Sequence, residues 1–250
     1  MRERSAARLF VPGALAAGDT VELDPGQAHR LRNVLRLAPG AAIAVFNETA
    51  GEFICRVEEL ARHRGRLAVE RVLRAPAPEP DLWLLFAPIK RTRLDWLVEK
   101  ATELGAAALV PVWTARTQPE RLNRERLNMV AIAAAEQSER LSLPEIRNPE
   151  ALEALMTRWP AARPLLVCDE SGGGRPIGEA VAELAAAAAA ALLVGPEGGF
   201  AETELDALGK LSFVTRIGLG PRVLRAETAA LAALAAYQAV AGDWRHSRGR

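Results

Sequence analysis

Hydrophobic and polar positions follow two different rhythms along this 250-residue chain. Before residue 75, short apolar and polar alternations separated by turn residues predict strands at 8–11, 20–23, 41–46, 52–60 and 66–73. Asn47-Glu48-Thr49-Ala50-Gly51 reads as a hairpin loop, and one helical stretch, 27–37, interrupts the strands. This part predicts a small β-rich barrel. Beyond residue 80, compact apolar runs that suit buried strands (82–87, 109–112, 165–168, 192–195 and 213–217) alternate with helical patterns at 93–104, 124–141, 177–190 and 225–241. In the first of these helices Leu94, Leu97, Val98, Ala101 and Leu104 share a face, and Gly105 is placed to cap its end. Such alternation predicts an α/β domain, a mostly parallel sheet with helices on both faces. Between the two parts, Ala75-Pro76-Ala77-Pro78-Glu79-Pro80 cannot join a helix or a central strand, because its prolines fix φ and lack an N–H. The expected division is a barrel at 1–74, a linker at 75–80 and the α/β domain at 81–250.

Half the residues are hydrophobic and a quarter charged, as in an ordinary globular protein. The formal net charge of +1 gives no global nucleic-acid signature, so any basic surface must be local. Cys55 and Cys168 lie in separate apolar runs with no CxxC pairing. They suit buried thiols of a reducing, cytoplasmic compartment and offer neither a disulfide framework nor a metal site. The opening Met1-Arg2-Glu3-Arg4 leads into a short apolar stretch broken by Pro12 and Gly13, without the long apolar core of a signal peptide. The longest apolar stretch, 184–194, is mainly alanine and too short to span a bilayer. Trp83, Trp96, Trp113 and Trp159 sit among apolar residues and are expected to pack.

Candidate chemistry concentrates in two glycine-proline loops, Val194-Gly195-Pro196-Glu197-Gly198-Gly199-Phe200 and Gly218-Leu219-Gly220-Pro221-Arg222-Val223-Leu224-Arg225. Each comes after an apolar run and leads into a helical pattern. Ligands of open α/β sheets bind outside the carboxyl ends of the strands, so the two loops imply one small-molecule site. The first loop lacks the lysine and hydroxyl of a phosphate loop and the spacing of a dinucleotide fingerprint. Its glycines still let backbone groups approach a flat ligand such as adenine; a tight strand-to-helix turn is the competing reading. Around the second, Arg222, Arg225, Glu227 and Thr228 surround a helix start, where an arginine fork suits phosphate or carbonyl oxygens. A structural ion pair from Arg225 to Glu227 or Glu197 competes with that role. Ser171-Gly172-Gly173-Gly174 reads as a mobile loop with no chemistry assigned.

Together the residues LLVGPEGGF (192–200) and GLGPRVLRAETA (218–229) resemble the two signature motifs of the RsmE family, the 16S rRNA N3-uridine methyltransferases of the SPOUT superfamily. Ile89-Lys90 through Asp95-Trp96 to Lys100-Ala101-Thr102-Glu103-Leu104-Gly105 resembles the family's "KATELG" segment, and Ala135-Glu136-Gln137-Ser138-Glu139-Arg140 its "EQS" helix end. His29 to Leu37 is similar to its "H…VLRL" segment. Ala226 stands where many relatives have threonine and Glu99 where glutamine is frequent; neither removes a motif glycine or the arginine.

The resemblance implies a PUA-like N-terminal barrel for RNA and a SPOUT-type α/β domain with a deep trefoil knot, active as a homodimer. It implies S-adenosylmethionine as cofactor and 16S rRNA, or the 30S subunit, as partner, with no membrane or DNA partner. By position, Val194, Gly195, Pro196, Glu197, Gly198, Gly199, Ile217, Gly218, Leu219, Gly220 and Leu224 would form the cofactor pocket. Arg225 is the expected stabiliser of negative charge on the uracil oxygens, and Glu197 and Glu227 are the carboxylates available to take the N3 proton. Basic residues recur locally, at His29, Arg30, Arg32 and Arg36 and again at Arg91 and Arg93, and these are the expected RNA contacts. Arg62, Arg64 and Arg66 flank a predicted hairpin, and the basic tail at 245–250 is expected to be disordered. A ribosome-binding assembly factor without catalysis is the alternative; an ATPase lacks the phosphate-loop lysine.

Overall fold

A computed structural model describes residues 5–77, 79–117, 122–184 and 189–245. The chain divides into two compact units, 1–78 with 135–143, and 79–134 with 144–250. Residues 246–250 of the basic tail lie outside the described residues.

In the first unit, β1 (Arg8–Phe10), β2 (Thr20–Leu23), a short α1 (Pro25–His29), β3 (Ala42–Asn47), β4 (Gly51–Leu60) and β5 (Gly65–Arg74) succeed one another. The sheet order is β1-β3-β4-β5-β2, antiparallel except for the β1–β3 pair. The β3–β4 hairpin turns where Asn47 Oδ1 accepts the N–H groups of Thr49 and Ala50, and where Gly51 takes φ +88°. The helix expected at 27–37 stops early. Asp24 and Gln27 cap α1 reciprocally, but Arg30–Val34 continues as a single π turn. Only Ala28 and Leu31 are buried there, while Val34 and Leu35 face solvent, so no apolar face extends to hold a longer helix.

The second unit contains β6 (Leu82–Phe86), α2 (Arg91–Glu103), β7 (Ala108–Trp113), α3 (Arg124–Ser138), β8 (Glu145–Ile146), β9 (Glu150–Ala151), α4 (Leu152–Thr157), β10 (Leu165–Cys168), β11 (Arg175–Pro176), α5 (Ile177–Ala182), β12 (Ala190–Val194), α6 (Glu202–Gly209), β13 (Val214–Gly218) and α7 (Ala226–Val240). The end of α3, from Ala135, groups with the first unit. The strand pairings of the second unit are parallel, in the order β11-β13-β10-β12-β6-β7-β8, with β9 beside the end of β7. The unit is thus α/β with a parallel sheet. Alternate residues serve opposite layers: Leu84, Phe86, Leu192 and Val194 pack with α2, α5 and α7, whereas Leu85 and Leu193 pack with α4 and α6.

Two helices end sooner than their patterns predict. α3 stops at Ser138, where Glu139 takes φ +62° and Arg8 and Arg74 donate to the terminal carbonyls of Ala135, Glu139 and Arg140. α5 stops at Ala182, because Ala190 and Ala191 at the other end of the alanine run are fully buried strand residues paired with Leu82 and Trp83. Sheet burial outweighs alanine's helix preference there. Among the described residues no helix is long and apolar enough to cross a membrane.

Candidate functional site

Strands β12, β10 and β13 are neighbours and all parallel, so their carboxyl ends open at the same edge of the sheet. The three chain segments that leave them wall a cleft of about 840 Å³. That is ample for a nucleoside-sized ligand. Its lining mixes apolar Ile177, Val194, Leu219 and Leu224 with glycine backbone at Gly195, Gly199, Gly218 and Gly220.

The wall after β12 is tightly built. Gly199 takes φ +68° and its N–H bonds the Pro196 carbonyl at 2.9 Å. A Cβ on Gly195 would lie 2.9 Å from the buried Phe200 ring, so glycine is the residue that permits this approach. Arg116 donates to the Gly198 carbonyl at 2.8 Å. The wall after β13 is open by comparison. Gly220 takes φ +95° with nothing near its missing Cβ, Arg222 is exposed, and Val223 is 85% exposed.

The third wall, after β10, comes from the glycine loop to which the sequence pattern assigns no chemistry. Asp169, Glu170, Ser171, Gly172 and Gly174 all line the cleft. Asp169 is buried yet held below the usual carboxylate range: burial pushes it up, but hydrogen bonds from Ser171 and Arg216 outweigh burial. Beneath them, the Cys168 thiol is pushed up to about 12 by burial and secondarily by the Glu170 charge, so it stays protonated and is no nucleophile. The signal for this wall was present as two acids and three glycines close after an apolar run.

Most expected cofactor positions line the cleft: Val194, Gly195, Pro196, Glu197, Gly199, Gly218, Leu219, Gly220 and Leu224. Gly198 and Ile217 do not; Ile217 is fully buried in the core. Arg225 lines the cleft at the N-cap of α7, is exposed, and among the described residues makes no ion pair with Glu197 or Glu227. Glu197 is on the cleft wall, whereas Glu227, one residue into α7, is only 7% exposed and does not line it. Its Oε2 is buried without a hydrogen-bond partner among the described residues. Arg93, expected at RNA, instead stands 3.6 Å from both Glu197 and Glu227.

The remaining basic candidates separate. His29, Arg32 and Arg36 are exposed on or beside the π turn and carry no ion pair among the described residues. Arg30 pairs with Glu136, whose other oxygen accepts the Phe10 N–H. Arg91 is exposed at the start of α2. Arg64 and Arg66 pair with Glu59 and Glu58. Trp96 is 41% exposed, unlike the packing expected of it, while Trp83 lies between the guanidinium groups of Arg147 and Arg163.

A protein-family model described as an RNA methyltransferase domain matches residues 76–238, more than half of the chain. Ribosomal RNA small subunit methyltransferase E of Rickettsia conorii is 30% identical over 91% of this chain and 93% of its own length. The chain belongs to this RNA methyltransferase family. Within that family, the Bacillus subtilis methyltransferase E is 28% identical, over 87% of this chain and 89% of that protein. The crystal structure of methyltransferase E from Neisseria gonorrhoeae bound to S-adenosyl methionine superposes with a TM-score of 0.86 at 28% identity, over 95% of this chain and 99% of that one. A Legionella pneumophila methyltransferase in complex with the bound cofactor SAM gives a TM-score of 0.82 at 28% identity, over 95% and 98% of the two chains. The methyltransferase match includes all three strand ends that wall the cleft.

Proposed function

We propose that the chain transfers the methyl group of S-adenosylmethionine to N3 of a uridine in 16S rRNA of the small ribosomal subunit, the target being uridine 1498 in the family's numbering. The observation that carries this is the cleft itself: three parallel strand ends, glycine-rich turns lining it beyond two of them, and at its mouth an arginine unpaired among the described residues. The cofactor's two chemical halves suit the lining. Ile177, Val194 and Leu219 offer apolar contact to an adenine ring, and the backbone groups beside Gly195 and Gly218 offer it hydrogen bonds. S-adenosylmethionine, when bound, supplies a sulfonium methyl group open to in-line displacement.

The protein's own residues must then orient the uracil and handle its N3 proton. Arg225, free of any carboxylate among the described residues, directs a fixed fork of donors at the oxygen on which negative charge develops. Glu197 is the proton acceptor of first choice, because it reaches the cleft wall. Glu227 acts behind it through Arg93, which stands between the two carboxylates. His29, Arg32 and Arg36 on the first unit and Arg91 on the second are proposed phosphate contacts.

Finer features belong to the same reading. A deep trefoil knot in the α/β unit is supported by the family resemblance and by a sheet order that sets β10 between β12 and β13. A PUA-like barrel is supported by the five-stranded sheet and the register shifts between β4 and β5, which bend strands toward closure. A homodimer rests on the resemblance alone, and a cytoplasmic location on the resemblance and on the two free, buried cysteines.

The test is incubation of the protein and S-adenosylmethionine with 30S subunits lacking the modification, and then mass spectrometry of the nucleosides. New N3-methyluridine is expected. Methylation at another base would overturn the target and keep the enzyme class; cofactor binding without any methylation would favour the assembly factor.

A further inference from the structure

We propose that the adjacent acids Asp169 and Glu170 form a double clamp that positions both glycine-rich walls of the cleft for the methyl donor, an inference that rests on the proposed cofactor. β10 lies between β12 and β13, so residues just beyond its end can reach the loops of both neighbours. Each acid takes one.

Glu170 holds the first wall. Its Oε1 accepts the Phe200 N–H at 2.9 Å and packs against Gly199, where any Cβ would overlap the carboxylate. Phe200 is thereby fixed at the point where its ring lies under Gly195. Gly195 and Gly199 are cleft-lining residues on either side of Glu197, so the Glu170 hydrogen bond anchors the end of the turn that carries them.

Asp169 holds the second wall. Its side chain is 0% exposed; Oδ2 accepts from Arg216 Nε at 2.9 Å and Nη2 at 2.7 Å, and Oδ1 accepts the Ser171 N–H at 2.9 Å. Arg216 is on β13, two residues before Gly218, and the Asp169 N–H bonds the Ile217 carbonyl at 2.8 Å. Gly174 then lies so close to the Ile217–Gly218 peptide that a Cβ would collide with it. The third wall is therefore seated on the second by side chain and backbone together. Neither acid needs to touch the reacting atoms; both are positioning residues.

The experiment compares the full-length protein with Glu170→Ala and Glu170→Gln, by calorimetric titration with S-adenosylmethionine, steady-state methylation of 30S subunits and thermal melting. Losing the acceptor for the Phe200 N–H is expected to weaken cofactor binding about tenfold in Glu170→Ala and raise KM for the cofactor in proportion, with kcat at saturation within about twofold. Glutamine keeps an acceptor oxygen, so Glu170→Gln should bind within about threefold of the unsubstituted protein. Binding by Glu170→Ala that matches the unsubstituted protein would overturn the clamp. So would a glutamine variant as weak as the alanine one, since that would assign the effect to the charge. If Glu170→Ala melts too low to assay, a normally melting Glu170→Gln alongside Asp169→Asn decides: a loss of cofactor affinity in Asp169→Asn supports the clamp and normal affinity overturns it. No binding by the unsubstituted protein would instead remove the proposed cofactor.

Discussion

The two signature loops leave the same edge of one sheet, yet they are built in opposite ways. The Gly195–Phe200 wall is tied at its Gly198 carbonyl, its Gly199 N–H and its Phe200 N–H, to Arg116, Pro196 and Glu170 respectively. Past Gly218, the other wall has open space around Gly220, an exposed Val223, and an Arg225 without a partner among the described residues. One wall is preorganised and costs little to use. The other keeps its contacts for what binds, which suits a segment that must meet both a small cofactor and an RNA base.

The largest expected effect falls on the open wall. Arg225→Ala should lower kcat about 10²–10³-fold while calorimetry shows cofactor affinity close to normal, because only developing charge on the base uses its donors. Lysine at the same position should restore little, since it lacks the planar fork. Next come paired glycine substitutions that test the contrast directly. Gly199→Ala combines a left-handed backbone with collision at Glu170 and should weaken cofactor binding about a hundredfold. Gly220→Ala meets no neighbour, so only backbone strain of about 1 kcal/mol is expected, roughly fivefold. Equal losses in the two would remove the distinction between the walls.

Arg93→Ala removes the cation that pairs with Glu227 among the described residues, but the two contacts are 3.6 Å long and Arg93 is partly exposed. The stability lost should be about 1 kcal/mol, measured by urea unfolding. The smallest effect concerns acid. Asp169 has its folded pKa below the ordinary 3.8, so its stabilisation is fully present above that value and is lost as pH falls through the lower folded value. Cofactor binding should therefore show no Asp169-dependent change between about pH 5 and 8. The acid-unfolding midpoint should rise in Asp169→Asn; an unchanged midpoint would contradict the Arg216 and Ser171 pairing.

The parallel sheet and two of the three walls were legible because apolar runs ended abruptly in glycine and proline. Strand 165–168 was expected at its observed bounds, Leu165–Cys168. The wall beyond that strand was signalled only by two acids and three glycines after an apolar run, and Ser171-Gly172-Gly173-Gly174 has the composition of a free loop; only the fold sets Gly174 against Gly218. The alanine run misled for a related reason. Its residues favour a helix locally, and the burial of its last members between β6 and β10 is a property of the sheet. Arg93 shows the same limit: sequence marks a basic residue at a helix entrance but cannot show the two carboxylates beside it. The short α4 and α6, which cover the second face, had too few residues for a distinct period.

Hydrogen exchange of the full-length protein with and without S-adenosylmethionine tests the central claim most directly. Protection should appear at all three strand ends, 168–178, 194–200 and 217–225, and the gain should be greatest in the open wall from Leu219 to Leu224. Protection elsewhere in the chain, or a gain at Gly195–Phe200 as large as that at the open wall, would contradict the account.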